Sequence, residues 1–216
     1  MPLVQITTTT DKRQIGLWHI TEEFSFLLKK LPKEAEKVNT FGSLRRRKEW
    51  LCVRLLSAEI LQKKNVEIFY NLHKKPYLKN EDYQISISHS LEYVAIILHE
   101  KKQVGIDIER IHPRIEKIKH KFLTEKEQQL LELKYQQEML IAFWSAKETI
   151  YKWYSKKEVD FKKHLHILNI VPKKSEKPLT SGHIQAIFAK GNLKKQLKID
   201  YFKIDNHILT HLAAEI

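Results

Sequence analysis

"QVGIDIERIHPRIEK", residues 103–117, changes its period part-way along. Up to Arg110, Val104, Ile106 and Ile108 alternate with Gly105, Asp107 and Glu109, which predicts a strand with two distinct faces. After "IHP" (111–113) the apolar residues recur at helical spacing over about 114–154, with one break near Phe122 and Leu123. Working outward, the N-terminal side repeats the theme. Strands are expected at 3–8 and 14–20, helices at about 21–31 and 43–63 with Ser43 as N-cap, then "VEIFY" (66–70), a turn-rich "NLHKKPYLKNEDY" (71–83), and strands "QISISHS" (84–90) and "EYVAIILHE" (92–100), with 103–110 continuing that sheet. On the C-terminal side, "HLHILNIV" (164–171), "HIQAIFAK" (183–190), "LKIDYFK" (197–203) and "HILTHLAAEI" (207–216) read as strands, and "VPKKSEKPLTSG" (171–182) as an exposed loop. Strands and helices in segregated blocks, twice over, argue for an α+β chain of two similar lobes, divided as 1–103 and 104–216.

The 216 residues suffice for a buried core, and 42% hydrophobic with 30% charged residues describe a globular chain. Lys and Arg number 39 against 26 Asp and Glu, a formal charge of +13 that calls for an acidic partner. Part of that excess is local, since residues 29–48 hold eight basic and two acidic side chains. The single cysteine, Cys52, excludes an internal disulfide and a cysteine-based zinc site. With neither a leader-like N-terminus nor a membrane-length apolar run, a cytoplasmic location is expected, with no membrane partner.

Four constellations carry chemistry. Asp107 and Glu109 share one strand face about 6.6 Å apart, with Val104, Ile106 and Ile108 expected to face the core. At an effective dielectric near 20, two such charges repel by roughly 3 kcal/mol, so in a cleft they demand a divalent cation or a lysine; on a solvated face, water would suffice. In "FWSAKETIYKW" (143–153), Met139, Phe143, Ala146, Ile150 and Trp153 form an inward stripe, with Glu148 and Lys152 opposite it, four residues apart. Trp144 and Tyr151 flank Glu148, which predicts that this face packs on a further surface, such as the other half of the chain. "SISHS" (86–90) ends a strand with His89 among serines and close in sequence to the lysines of "HKKPY", a setting suited to phosphate or to an ordinary structural histidine. In "FLTEKE" (122–127), Thr124 and Glu127 fit a helix capping box, although the same glutamate could accept a proton from a hydroxyl brought within hydrogen-bond reach.

In this order, "KKPYL", "ISISHS", "GIDIE", "FLTEKE" and "WSAKETIYK" resemble the 4′-phosphopantetheinyl transferases, and among them the monomeric, two-lobed kind that activates surfactin synthetase. The resemblance spans about Arg45 to Lys152. It implies two α+β lobes related by a pseudo-twofold, with coenzyme A bound in the cleft between them. It further implies transfer of the phosphopantetheine arm of coenzyme A to a serine of an acyl or peptidyl carrier protein, with release of 3′,5′-ADP. By motif, Asp107, Glu109 and Glu148 resemble Mg²⁺ ligands, a role in which Mn²⁺ is equally suited. Lys152 resembles the lysine at the pyrophosphate, and Glu127 the acceptor of the serine proton. Ser88, His89, Lys75 and Arg45 resemble contacts to coenzyme A phosphates, with Arg46 and Arg47 as neighbouring alternatives to Arg45. The sequence departs from the family's G-K-P at Lys74, which stands in place of glycine. Two other readings remain at this stage. One is a basic nucleic-acid-binding protein, which the charge favours but for which no recognised motif exists and the acidic residues have no use. The other is an inactive relative that binds coenzyme A or a carrier protein.

Overall fold

The computed structural model describes residues 4–64, 66–79, 82–156, 158–173 and 179–216. Leu3 of the first expected strand, Asn80 and Glu81 of the turn-rich stretch, and residues 174–178 of the expected loop lie outside them. The architecture is α+β, and the chain divides into two units, Met1–Lys102 and Gln103–Ile216.

The first unit is built on an antiparallel sheet in the order β1 (Val4–Thr8), β2 (Gln14–His19), β6 (Tyr93–His99), β5 (Gln84–Ser90). Two short helices, α1 (Phe24–Lys30) and α2 (Ala35–Asn39), lead into α3 (Leu44–Leu61), and β3 (Ile68–Tyr70) pairs with β4 (Pro76–Leu78) as a separate ribbon. Ser43 caps α3 as expected, its hydroxyl accepting from the Arg46 amide at 3.2 Å. The helix lays Leu51, Cys52, Leu56 and Ile60 on the sheet against Val94, Ile96 and Leu98. Gly16 in β2 permits the close approach, since a Cβ there would lie 2.6 Å from Ile60 Cδ1.

In the second unit the sheet order is β7 (Gln103–Arg110), β11 (His207–Ala214), β10 (Leu193–Ile204), β9 (Ser181–Lys190), β8 (Leu165–Pro172). The expectation that 103–110 continues the N-terminal sheet is thereby corrected, because β7 pairs antiparallel with β11, Asp107 opposite Thr210 and Glu109 opposite Ile208. A local pattern identifies a strand but not a partner a hundred residues away. The helical block resolves into α4 (Arg114–Phe122), α5 (Glu125–Gln128) and α6 (Gln136–Tyr154), so a second break separates α5 from α6. The expected stripe of Met139, Phe143, Ala146, Ile150 and Trp153 is buried against Ile208, Leu212, Ile184 and Phe188. Of the expected loop, Val171 and Pro172 belong instead to β8, paired with His183 and Gly182 of β9. In each unit the strand that precedes the helices pairs with the last strand, β2 with β6 and β7 with β11.

Candidate active site

In the second unit, α6 lies directly on the edge strand β7, and Gly105 makes this possible. A Cβ at that position would sit 2.1 Å from the Thr149 carbonyl oxygen and 3.1 Å from the Trp153 amide nitrogen, so only glycine admits the helix at this depth. Gly105, Asp107 and Glu109 share a strand face, so the two carboxylates look onto α6 rather than away from it. The expectation that the core lies on the opposite side of β7 is half right: Val104, Ile106 and Ile108 are buried, but the helix and its apolar stripe cover the carboxylate side.

Trp144, Glu148 and Lys152 follow one another at four-residue intervals, about 6 Å per step along the helix, and so form one row facing β7. At one end the Trp144 indole donates to Glu109 Oε1 at 3.1 Å. At the other, the Lys152 ammonium donates to Asp107 Oδ1 at 2.8 Å and to the Ile106 carbonyl at 3.1 Å. Glu148 stands between them in the row. The partner surface expected for Trp144 and Tyr151 is supplied inside the unit: Trp144 packs edge-on to Phe122 at 5.1 Å and against Phe161 at 5.5 Å, and Tyr151 meets Phe161 at 6.0 Å.

Electrostatics reveal what the joint lacks. Burial, then the Asp107 charge, pushes Glu109 up to about 7, against the pull of Trp144 and Lys152. Burial and Asp107 likewise push Glu148 up to about 7, with Lys152 opposing. Lys152 thus stands beside three carboxylates, two of which retain protons near neutrality. Among the described residues no three His, Cys, Asp or Glu side chains are gathered tightly enough to hold a metal ion as they stand. The donor chemistry nevertheless fits a hard divalent cation: carboxylate oxygens, partly desolvated, with negative charge in excess.

Beneath the carboxylates runs a buried hydroxyl seam that sequence reasoning missed. The Ser145 and Thr149 hydroxyls meet the Thr210 hydroxyl at 2.9 and 2.6 Å, and Thr210 is the cross-strand neighbour of Asp107. Polar residues inside an apolar helical face were its only signal, and they do not name a partner on β11.

Glu127 and Lys147 answer one open question. The expected capping box is present, with Glu127 Oε2 accepting from the Thr124 amide at 2.7 Å and hydroxyl at 3.0 Å. Oε1 accepts from the Ile167 amide and from Lys147 Nζ, each at 2.7 Å. With four donors on two oxygens and only 2% exposure, Glu127 offers no face to a substrate hydroxyl, and the proton-acceptor role does not suit this environment.

The first unit gathers a basic cluster of its own. His89 projects from β5 toward α3, while the adjacent Ser88 leaves the opposite face of the strand and is buried. His89 Nε2 accepts from Arg46 Nη1 at 2.8 Å, and its Nδ1 lies 3.4 Å from Glu49. Arg45 Nε and Arg46 Nη1 also approach Glu49, at 3.4 and 3.3 Å. Arg47 is committed elsewhere, donating to the Phe41 and Asn39 carbonyls as a clamp on the preceding loop. Among the three arginines, Arg45 and Arg46 therefore face the cluster. Glu49, a buried carboxylate that holds the cluster together, was not singled out from sequence.

Lys75 follows a tight turn in which Lys74 takes the left-handed conformation, φ 61°. The turn survives because Asn71 Oδ1 accepts from the His73 and Lys75 amides at 2.9 and 3.0 Å. Burial pushes the Lys75 ammonium down.

No helix among the described residues is long and apolar enough to cross a membrane. A family model described as the 4′-phosphopantetheinyl transferase superfamily matches residues 103–210, half of the chain and the whole of the β7–α6 joint. No curated protein gives a significant match.

Proposed function

Since the chain belongs to the 4′-phosphopantetheinyl transferase superfamily, we propose that it transfers the phosphopantetheine arm of coenzyme A to a serine hydroxyl of an apo acyl or peptidyl carrier protein, releasing 3′,5′-ADP. The observation that carries this reading is the β7–α6 joint: Asp107, Glu109 and Glu148 in one partly buried set beside Lys152, with Glu109 and Glu148 pushed up to about 7 by burial and by the Asp107 charge.

Asp107, Glu109 and Glu148 are the residues that would hold Mg²⁺ or Mn²⁺. The ion would supply the missing positive charge and polarise the diphosphate ester, making its phosphorus accessible to an oxygen nucleophile. Lys152 takes the role of a fixed ammonium beside the diphosphate, where it offsets charge gathering on the leaving phosphate. Trp144 holds Glu109 in place and, with Phe122 and Phe161, shields that end of the joint from water. An alcohol is not ionised in advance by any carboxylate, so the serine proton leaves as the new P–O bond forms. Arg45, Arg46, His89 and Lys75 of the first unit are assigned to the phosphates of coenzyme A, and the +13 charge draws in both coenzyme A and an acidic carrier protein. The chain acts in the cytoplasm as a monomer on this reading.

Incubation with coenzyme A, Mg²⁺ and a panel of apo-carrier proteins, read by intact mass, tests the proposal. One added arm on a carrier serine is expected, lost with Asp107→Asn or Glu148→Gln. No mass change on any carrier, in protein shown to be folded, would refute it.

A further inference from the structure

Helix α6 carries both Glu148 and Lys152, so its rotation about its own axis decides where they point. The apolar stripe on its buried side fixes the helix on the sheet by shape, and the Ser145 and Thr149 hydroxyls bond to Thr210 beside it. Hydrogen bonds add direction, and Lys147, one residue before Glu148, makes three of them. Its side chain is fully buried, and Nζ donates to the Phe122 carbonyl at 2.7 Å, to the Phe161 carbonyl at 2.9 Å and to Glu127 Oε1 at 2.7 Å. Glu127 in turn is fixed by the Thr124 cap and by the Ile167 amide of β8. The pair therefore ties α6 to the end of α4, to the start of α5, to the segment after α6 and to β8. Burial pushes the Lys147 ammonium down, and Glu127 pulls it back toward the charged state.

Resting on the transferase reading above, we infer that Lys147 and Glu127 are positioning residues: a buried latch that sets the rotation of α6 and so aims Glu148 and Lys152 at the carboxylates of β7. Lys147 and Glu148 are consecutive on one helix, so holding Lys147 Nζ at three fixed acceptors also holds the rotation that turns Glu148 toward β7.

Lys147→Met, Glu127→Gln and the double variant test this. Glutamine keeps an oxygen for the Ile167 amide and Lys147, whereas methionine removes all three directional bonds of the lysine. The inference expects Lys147→Met to lower kcat at least tenfold per folded molecule, with the KM for coenzyme A within about threefold. It expects Glu127→Gln to retain activity within tenfold and to leave the shape of the kcat–pH profile unchanged. The double variant removes both buried charges together and keeps the experiment open if Lys147→Met fails to fold; it should lose kcat as the lysine variant does. The opposite ranking, with Glu127→Gln down a hundredfold and its acidic limb gone while Lys147→Met stays active, makes Glu127 the proton acceptor and overturns the inference. Full activity in all three variants overturns it as well. Should the wild-type chain transfer nothing, the transferase reading fails separately. Calorimetric titration with Mg²⁺ then decides the latch, which expects about a tenfold weaker dissociation constant in Lys147→Met and is overturned by an unchanged one.

Discussion

Gly105→Ala is the sharpest perturbation of the joint, because it adds one methyl group at the point where helix and strand touch. The new Cβ would lie 2.1 Å from the Thr149 carbonyl oxygen, against the 3.4 Å at which ordinary contact begins, so α6 must retreat by about 1.3 Å. Backbone stands on both sides, and no flexible side chain can yield instead. Such overpacking costs about 1–3 kcal/mol. For a chain of this size that lowers the melting temperature by roughly 2–4 °C per kcal/mol. The effect on chemistry should exceed the effect on stability. Lys152 Nζ sits 2.8 Å from Asp107 Oδ1 and 3.1 Å from the Ile106 carbonyl, and a retreat of that size carries both beyond hydrogen-bond range. Misplacement by about 1 Å can cost a hundredfold in rate. The assay is steady-state transfer to a carrier protein beside a thermal melt, with Gly42→Ala as control, since a Cβ at Gly42 meets nothing within 4 Å. A Gly105→Ala protein with wild-type melting and turnover would refute the claim that this glycine seats the helix.

Metal-free protein should lose stability as pH rises from about 4.5 to about 7, because Glu109 and Glu148 titrate near 7 when folded against 4.5 when unfolded, and the folded chain binds more protons across that window. Denaturant unfolding at pH 5 and 8 should show this loss relative to Glu109→Gln/Glu148→Gln, and Mg²⁺ should reduce it; a wild-type minus variant difference that does not change with pH contradicts the assignment. Arg46→Ala should raise the KM for coenzyme A with little change in melting, whereas Arg47→Ala, which frees the Phe41 and Asn39 carbonyls, should lower stability by about 1 kcal/mol and leave KM near wild type. Asn71→Ala removes the acceptor that holds Lys74 at positive φ and should both destabilise by about 1 kcal/mol and raise the KM for coenzyme A through Lys75, as read by the same kinetics and melts.

Which parts of this molecule were legible in advance follows from how far each interaction reaches along the chain. The capping box of Thr124 and Glu127 closes within three residues, and the stripe of α6 repeats every turn, so composition and spacing sufficed for both. The repulsion between Asp107 and Glu109 was likewise local, and it demanded a countercharge before Lys152 was seen to supply one. The identity of their neighbours was not local. Thr210 lies 61 residues beyond Thr149, and the strand that carries it pairs with β7 across the whole second unit. Nothing in "GIDIE" says that its glycine marks the landing of a helix, because a strand glycine serves equally well for a bulge or a turn. The same limit explains the two roles open to Glu127. Thr-x-x-Glu is compatible with a cap and with a base, and only the number of donors around the carboxylate separates them. Four donors on two oxygens, one of them a lysine from another helix, consume the lone pairs that a base would need. A carboxylate so engaged can still serve the reaction, but through the helix it holds.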